Sequence, residues 1–332
     1  MMSRLHRITL GDATFHARSG QNLLEAALSA GVDLPHDCRA GRCGTCLTRV
    51  CNGITLGGDT FGQGMVHACR AMVFSDLSLE VEPRPPVVSL RGRVSGLSEL
   101  ARDIVEVAIM PEKPLAMLPG QYCRFRFRGY AARSFSPTAP LAAMRNDGLL
   151  RLQVKRVAGG RVTPQLGKAI GRGHQVQIEG PLGTAYLRAG STGRLVLVGS
   201  GTGFAPIWAV AQAALREDPA RSLELVAASR TLDAFYMAPA LMQASRFAGT
   251  RVKAVISELE HSQGRLLAGQ PLEHLPHLQS GDTVYAAGAP GLVEAVGTAA
   301  AAGAAFHADP FETPRPTGPS LAERALSWLS AG

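Results

Sequence analysis

The chain has 332 residues, 46% hydrophobic and 18% charged, enough for two or three packed domains at about 150 residues each. This composition excludes disorder, collagen and a disulfide-dense miniprotein. The formal charge of +8 is uneven: residues 1–86 hold 8 basic and 8 acidic groups, 87–187 hold 15 and 6, and 188–332 hold 11 and 12.

The excess therefore falls in the middle third. No Lys/Arg-rich run with interleaved aromatics accompanies it, so no nucleic-acid partner is expected. The opening MMSRLHRITL has no apolar signal-peptide region. The longest uncharged run, 195–215, is broken by GSGTG and Pro206, so no membrane span is expected either. A cytoplasmic protein is the expectation.

In chain order, residues 1–84 read as a small α+β unit. Alternation predicts a strand over 5–10 with a turn at Gly11-Asp12, then a helix carrying Leu23, Leu24, Ala27 and Leu28 and stopped by Gly31. A cysteine loop follows, and an alternating strand at 77–81 closes the unit. EPRPPVV at 82–88 is a semi-rigid linker. Residues 88–188 show short alternating segments, such as 104–109 and 149–154, that suggest an antiparallel β-barrel. In YCRFRFR at 122–128 the arginines share one face, which reads as solvated, and Cys123 and the phenylalanines share the other.

From 189 to 312 the pattern becomes strand, Gly-rich turn, helix. Strands are predicted at 195–198, 223–227, 252–256 and 284–287, with a helix over 207–215, as in an α/β unit with a parallel sheet. A Pro-rich stretch then leads into a tail, 313–332, with an amphipathic segment at Leu321, Ala325, Leu326 and Leu329 to which no function is assigned.

Five of the six cysteines lie within 32 residues. Cys38, Cys43 and Cys46 are spaced C-x4-C-x2-C, and Cys69 follows after 22 residues. That is the plant-type 2Fe–2S arrangement, in which one tight loop supplies three thiolates and a distant segment the fourth. Gly41 and Gly44 would let backbone N–H groups approach the sulfurs. A four-thiolate zinc site is the alternative, but structural zinc usually pairs two knuckles and Cys69 has no close partner. Cys51 and Cys123 read as buried thiols.

On DCRAGRCGTC and the later HAC, the first unit resembles plant-type ferredoxins, which implies a β-grasp-like fold and ligands Cys38, Cys43, Cys46 and Cys69. The loop before Cys69 is shorter than the family's. Arg133-Ser134-Phe135-Ser136 and Lys155-Arg156-Val157-Ala158-Gly159-Gly160-Arg161-Val162-Thr163 resemble the flavin domain of the ferredoxin–NADP reductase superfamily. The resemblance implies FAD, held by Arg133, Ser134, Phe135, Ser136 and Lys155. It also implies a phosphate turn at Gly159, Gly160, Arg161, Val162 and Thr163. Ser136 would reach the reacting edge of the flavin. Phe135 stands where Tyr is usual; Lys155 alone reads as an exposed strand lysine.

Gly199, Gly201, Thr202 and Gly203, after an apolar strand and before a helix, resemble the same superfamily's nicotinamide turn. Arg230 reads either as a contact for the 2′-phosphate of NADPH or as an exposed cation, with NADH the expected donor. Gly288 belongs to a turn that resembles the family's C-G-P-P, with Ala287 in the cysteine position. The segment ending at Phe311 resembles the end of dioxygenase reductases, implying that Phe311 covers the flavin; His307 reads as structural.

The order of the three units resembles the reductases of bacterial multicomponent oxygenases, nearest to the naphthalene- and carbazole-dioxygenase types. It implies electron transfer from NADH through FAD and a 2Fe–2S cluster to an acidic Rieske-type ferredoxin or a terminal oxygenase. A di-iron monooxygenase partner is an alternative. So is a cluster-bearing carrier that does not oxidise NADH, and so is a zinc-bearing binding protein.

Overall fold

The computed structural model describes residues 4–41, 44–58, 64–142, 147–301 and 303–311. The tail at 313–332 and Cys43 lie outside these residues.

The first unit contains β1 (Leu5–Leu10), β2 (Ala13–Arg18), α1 (Leu23–Ser29), β3 (Leu47–Asn52), β4 (Thr55–Leu56), β5 (Met65–His67), β6 (Met72–Val73) and β7 (Leu77–Glu80). Gly11, at φ +54°, makes the β1–β2 turn. β1 pairs antiparallel with β2 and parallel with β7, in the sheet order β2-β1-β7-β3-β5. Asn22 caps α1 by accepting from the Glu25 N–H at 3.1 Å. The helix buries Leu23, Leu24, Ala26 and Ala27 against Ile8, Phe15, Leu77 and Leu79, which orders the cysteine loop that follows.

β7 ends at Glu80 and β8 begins at Val88, so residues 81–87 connect the first unit to the second. The second unit comprises β8 (Val88–Ala101), β9 (Ile104–Pro111), β10 (Tyr122–Phe127), β11 (Arg133–Phe135), β12 (Leu150–Lys155) and β13 (Gln175–Leu182). The order is β11-β10-β13-β8-β9-β12, and every pair is antiparallel. Thr138 bridges Arg151, with the Thr138 N–H donating to the Arg151 carbonyl at 2.9 Å, so the chain beyond β11 meets β12 and closes the barrel. Cys123, Phe125 and Phe127 fill the interior, as their alternation predicts.

The third unit contains β14 (Leu195–Ser200), α2 (Phe204–Glu217), β15 (Leu223–Ser229), α3 (Ala238–Ala244), β16 (Thr250–Ile256), β17 (Leu266–Ala268), β18 (Thr283–Gly288), α4 (Pro290–Ala300) and β19 (Ala305–Pro310). All strands are parallel in the order β17-β16-β15-β14-β18-β19. Two apolar clusters cover the two sheet faces, so β14 and β15 are apolar on both sides. The chain reverses direction across the sheet between β14 and β18. The carboxyl ends of those strands open the crevice where such sheets bind ligands. Among the described residues no helix is long and apolar enough to cross a membrane.

Two readings of single residues change. Cys51 is exposed rather than buried, because β3 pairs irregularly with β7 between Val50 and Asn52 and the bulge turns its side chain outward. Arg124 is not on a solvated face: it pairs with Asp37 of the first unit and with Glu179. Arg126 and Arg128 are exposed as expected.

Candidate functional site

The cysteine loop runs from α1 to β3. Leu34 anchors it in the core, and Arg39, Gly41 and Gly44 take φ values of +53°, +73° and +68°. These left-handed residues turn the Ala40 and Gly41 N–H groups inward, an arrangement suited to anions. The Gly41 N–H donates to Cys69 Sγ at 3.2 Å and the Ala40 N–H to Cys38 Sγ at 3.4 Å. Asn22 Nδ2 donates to the Cys69 carbonyl at 3.0 Å, and the Ala68 N–H to the Cys46 carbonyl at 3.1 Å, which brings the distant fourth cysteine to the loop. Burial, with smaller contributions from the nearby Cys69 and Cys38, pushes the Cys46 thiol up to about 12. Thiols this close deprotonate together only when a cation holds them. Inward N–H donors on clustered sulfurs fit a thiolate-held iron–sulfur cluster.

In the barrel, Arg133 donates from Nη1 to the Ala132 carbonyl at 2.8 Å, Ser134 is exposed, and the Phe135 ring lies 6.1 Å from that of Phe125. Extending the antiparallel Thr138–Arg151 pairing sets Ser134–Ser136 alongside Gln153–Lys155. Lys155 is exposed at the end of β12. In the turn beyond, Gly159 has φ +74°, and a side chain at Gly160 would come within 2.9 Å of the Val157 carbonyl. Thr163 Oγ1 accepts from the Val157 N–H at 3.0 Å, and Arg161 is exposed. Val162 packs in the barrel core, leaving only its main chain to face a ligand. The half-buried Arg133 guanidinium and the glycine turn are both donor types that fit the pyrophosphate of FAD.

The turn at 199–203 and the turn at Gly288 form one crevice. A Cβ at Gly203 would run into Ala287 and Gly288, and one at Gly288 would lie 2.7 Å from the Ser200 carbonyl. A Cβ at Gly199 would sit 2.8 Å from Phe204 Cα. Only glycine allows these backbones to approach so closely, and Gly201 at φ +54° completes a tight turn with Thr202 before α2. The positive end of α2 then faces the crevice, suited to a dinucleotide phosphate. Arg230 is exposed at the end of β15, with Nε 2.5 Å from Glu258 Oε1.

Barrel and sheet are locked together at this crevice. Thr138 Oγ1 donates to the Ala205 carbonyl at 2.7 Å, and Trp208 Nε1 to the Pro140 carbonyl at 3.0 Å. Tyr236 OH donates to Gln153 Oε1 at 2.7 Å and reaches the Gly201 carbonyl at 3.1 Å. Ser136 Oγ donates to Asp309 Oδ2 at 3.2 Å, and the Phe311 N–H donates to the Gly288 carbonyl at 2.7 Å. Ser136, Gly288 and Phe311 are thereby brought together. Desolvation pushes the Asp309 carboxyl up to about 7, with the Ser136 hydrogen bond opposing. Burial pushes His307 down to about 3, and its ring lies 4.7 Å from Tyr285, so it packs as a neutral side chain. Sequence reasoning passed over Asp309 and Tyr236. An acidic residue two positions before Phe311 was the available signal for the first.

Three family models match, in this order: a 2Fe-2S iron-sulfur cluster binding domain over 8–74, an oxidoreductase FAD-binding domain over 99–186 and an oxidoreductase NAD-binding domain over 197–298. With the geometry above they define an NAD(P)H-dependent iron–sulfur flavoprotein reductase. The reductase component of the naphthalene 1,2-dioxygenase/salicylate 5-hydroxylase systems of Ralstonia sp is 32% identical over 297 residues, 85% of this chain and 89% of that one. The reductase component of the alkene monooxygenase system of Xanthobacter autotrophicus is 29% identical over 83% of this chain and 90% of its own. The solved ferredoxin reductase of carbazole 1,9a-dioxygenase shares the fold, with a TM-score of 0.65 at 24% identity over 94% of this chain and 100% of that one. The chain belongs to the family of ferredoxin–NAD(P)(+) reductase components.

Proposed function

We propose that this chain reduces the ferredoxin or terminal oxygenase of an aromatic-ring-hydroxylating dioxygenase, using NADH in the cytoplasm. We assign residues 1–84 to the cluster, 88–188 to FAD and 189–312 to the nicotinamide. When bound, FAD converts a two-electron hydride into single electrons that the 2Fe–2S cluster can accept. The remaining work belongs to the chain. Arg133 and the 159–163 turn hold the flavin pyrophosphate, with Ser134, Phe135 and Lys155 along the same site. The turn at Gly199, Gly201, Thr202 and Gly203 holds the dinucleotide, Gly288 lets it approach, and Phe311 covers the flavin and excludes water.

The observation that carries this reading is the Ser136–Asp309 hydrogen bond at 3.2 Å. It joins the flavin strand to the end of the nicotinamide sheet, so a donor in the crevice would face the flavin. The dioxygenase assignment is supported by the Ralstonia relative. The exposed Arg39 and Arg70 beside the cysteine loop favour a partner with an acidic face, such as a Rieske-type ferredoxin. The Xanthobacter relative supports a second reading, a monooxygenase partner.

Anaerobic addition of NADH to the purified protein tests the reductase reading. The flavin absorbance should bleach and the cluster bands should follow. Turnover with a naphthalene-type dioxygenase and not with an alkene monooxygenase supports the first partner; the reverse result overturns it.

A further inference from the structure

The face of the barrel turned toward the first unit carries a polar seam. Asp37 lies immediately before Cys38, and only 9% of its side chain is exposed. It accepts from Tyr122 OH and forms an ion pair with Arg124, both on β10. Thr45, immediately before Cys46, stands 3.3 Å from Tyr122 OH and accepts from the Gly183 N–H at 3.3 Å. Gly44 packs on Thr184, where a Cβ would run into the hydroxyl. Two linker residues complete the seam: Arg84 donates to the Thr45 carbonyl at 3.1 Å, and Glu82 pairs with Arg188 at 2.7 Å.

The strand that receives the loop also addresses the flavin site. β10 pairs with β11, with Cys123 opposite Phe135. A single strand thus has Tyr122 and Arg124 on the cysteine loop and a neighbour carrying Arg133 to Phe135. We propose that this seam seats the cluster against the flavin barrel, with Tyr122 and Arg124 as positioning residues that govern electron transfer from flavin to cluster. The inference rests on the reductase reading above. In each transfer, one electron lost by reduced flavin is gained by the oxidised cluster, NADH having supplied the pair.

Transfer proceeds from the seated arrangement, and its rate scales with the seated fraction. A charged pair at the centre of the seam makes that fraction sensitive to ionic strength. Tyr122→Phe removes a hydrogen bond and keeps the packing, whereas Arg124→Gln removes the charge.

The test is anaerobic stopped-flow mixing of the holoenzyme with NADH, following flavin and cluster bands separately, for wild type, Tyr122→Phe, Arg124→Gln and Arg126→Gln. Arg126 is the exposed control on the same strand face. The flavin phase should stay within about twofold, while Arg124→Gln slows the cluster phase about tenfold, the effect expected when the charge partner of a buried carboxylate is lost. Tyr122→Phe should slow it less, and Arg126→Gln not at all. Added salt should slow the wild-type cluster phase. Hydrogen exchange gives a readout independent of turnover: the non-proline amides of 33–41 and those of Glu82, Arg84 and Val87 should exchange faster in Arg124→Gln. A cluster phase and exchange pattern identical to those of Arg126→Gln would overturn the proposal. If wild-type flavin fails to bleach with NADH, the reductase reading fails instead, and the exchange comparison still decides whether the seam exists.

Discussion

Ser136 Oγ and Asp309 Oδ2 lie 3.2 Å apart although 173 positions separate them in the chain. Desolvation holds Asp309 up at about 7, so at neutral pH the carboxyl is poised between its neutral and ionised forms beside the hydroxyl expected at the flavin edge. The rate of flavin reduction by NADH should therefore break near pH 7, and Asp309→Asn should flatten the profile.

The same carboxyl makes stability depend on pH. Its folded pKa of about 7 lies above the ordinary 3.8, so the folded state binds a proton that the unfolded state has released between those values. The stabilisation is complete below pH 3.8 and lost as pH rises through 7. Denaturant midpoints measured across that range should include a downward contribution from this group, and Asp309→Asn should remove it.

Arg230 is tethered to Glu258, and the Glu258 N–H donates to the Arg230 carbonyl at 2.9 Å. The end of β15, where the adenosine ribose is expected, thus carries a carboxylate from the turn after its neighbour β16 as well as a cation. With a dinucleotide bound there, that carboxylate would repel a 2′-phosphate and occupy the arginine that would bind one. Wild type should prefer NADH, and Glu258→Gln should raise kcat/KM for NADPH relative to NADH about tenfold, since like charges brought together are strongly disfavoured.

Cys69 is held by Asn22 and receives the Gly41 N–H. Cys69→Ser replaces a soft thiolate with a hard oxygen donor and should abolish or greatly reduce iron and labile sulfide, while the barrel keeps its flavin. NADH should still bleach the flavin, but reduction of a partner ferredoxin should stop. Chelator treatment of the wild type should give the same division.

Trp208 is fully buried, stacks on Phe204 with ring centroids 6.1 Å apart, and donates to Pro140 of the barrel. Trp208→Ala removes a large core side chain and one bond across the barrel–sheet junction. It should cost about 3–5 kcal/mol, read from chemical denaturation.

The parts of this site that were legible in the sequence are local. The spacing of Cys38, Cys46 and Cys69 and the glycines at 199, 201 and 203 follow from what one turn of backbone requires. The alternation in β10 located the apolar face correctly, since Phe125 and Phe127 are buried. Alternation reports which residues share a face and not what covers it, so it carries no sign of Asp37 upon Arg124. Tyr236 with Gln153, and Ser136 with Asp309, depend on how separately folded units meet. Cys51 faces outward because of a bulge, which shifts the parity of a strand without any mark in its composition.

The seven connecting residues at 81–87 can extend no further than about 25 Å. A cluster that left the barrel to meet a partner would therefore stay on a short tether, and its return would be an encounter within one molecule. A tether of that kind sustains an effective concentration on the order of millimolar. Reloading should then be independent of protein concentration, so dilution should slow the hand-over to the partner and leave the recharging step unchanged.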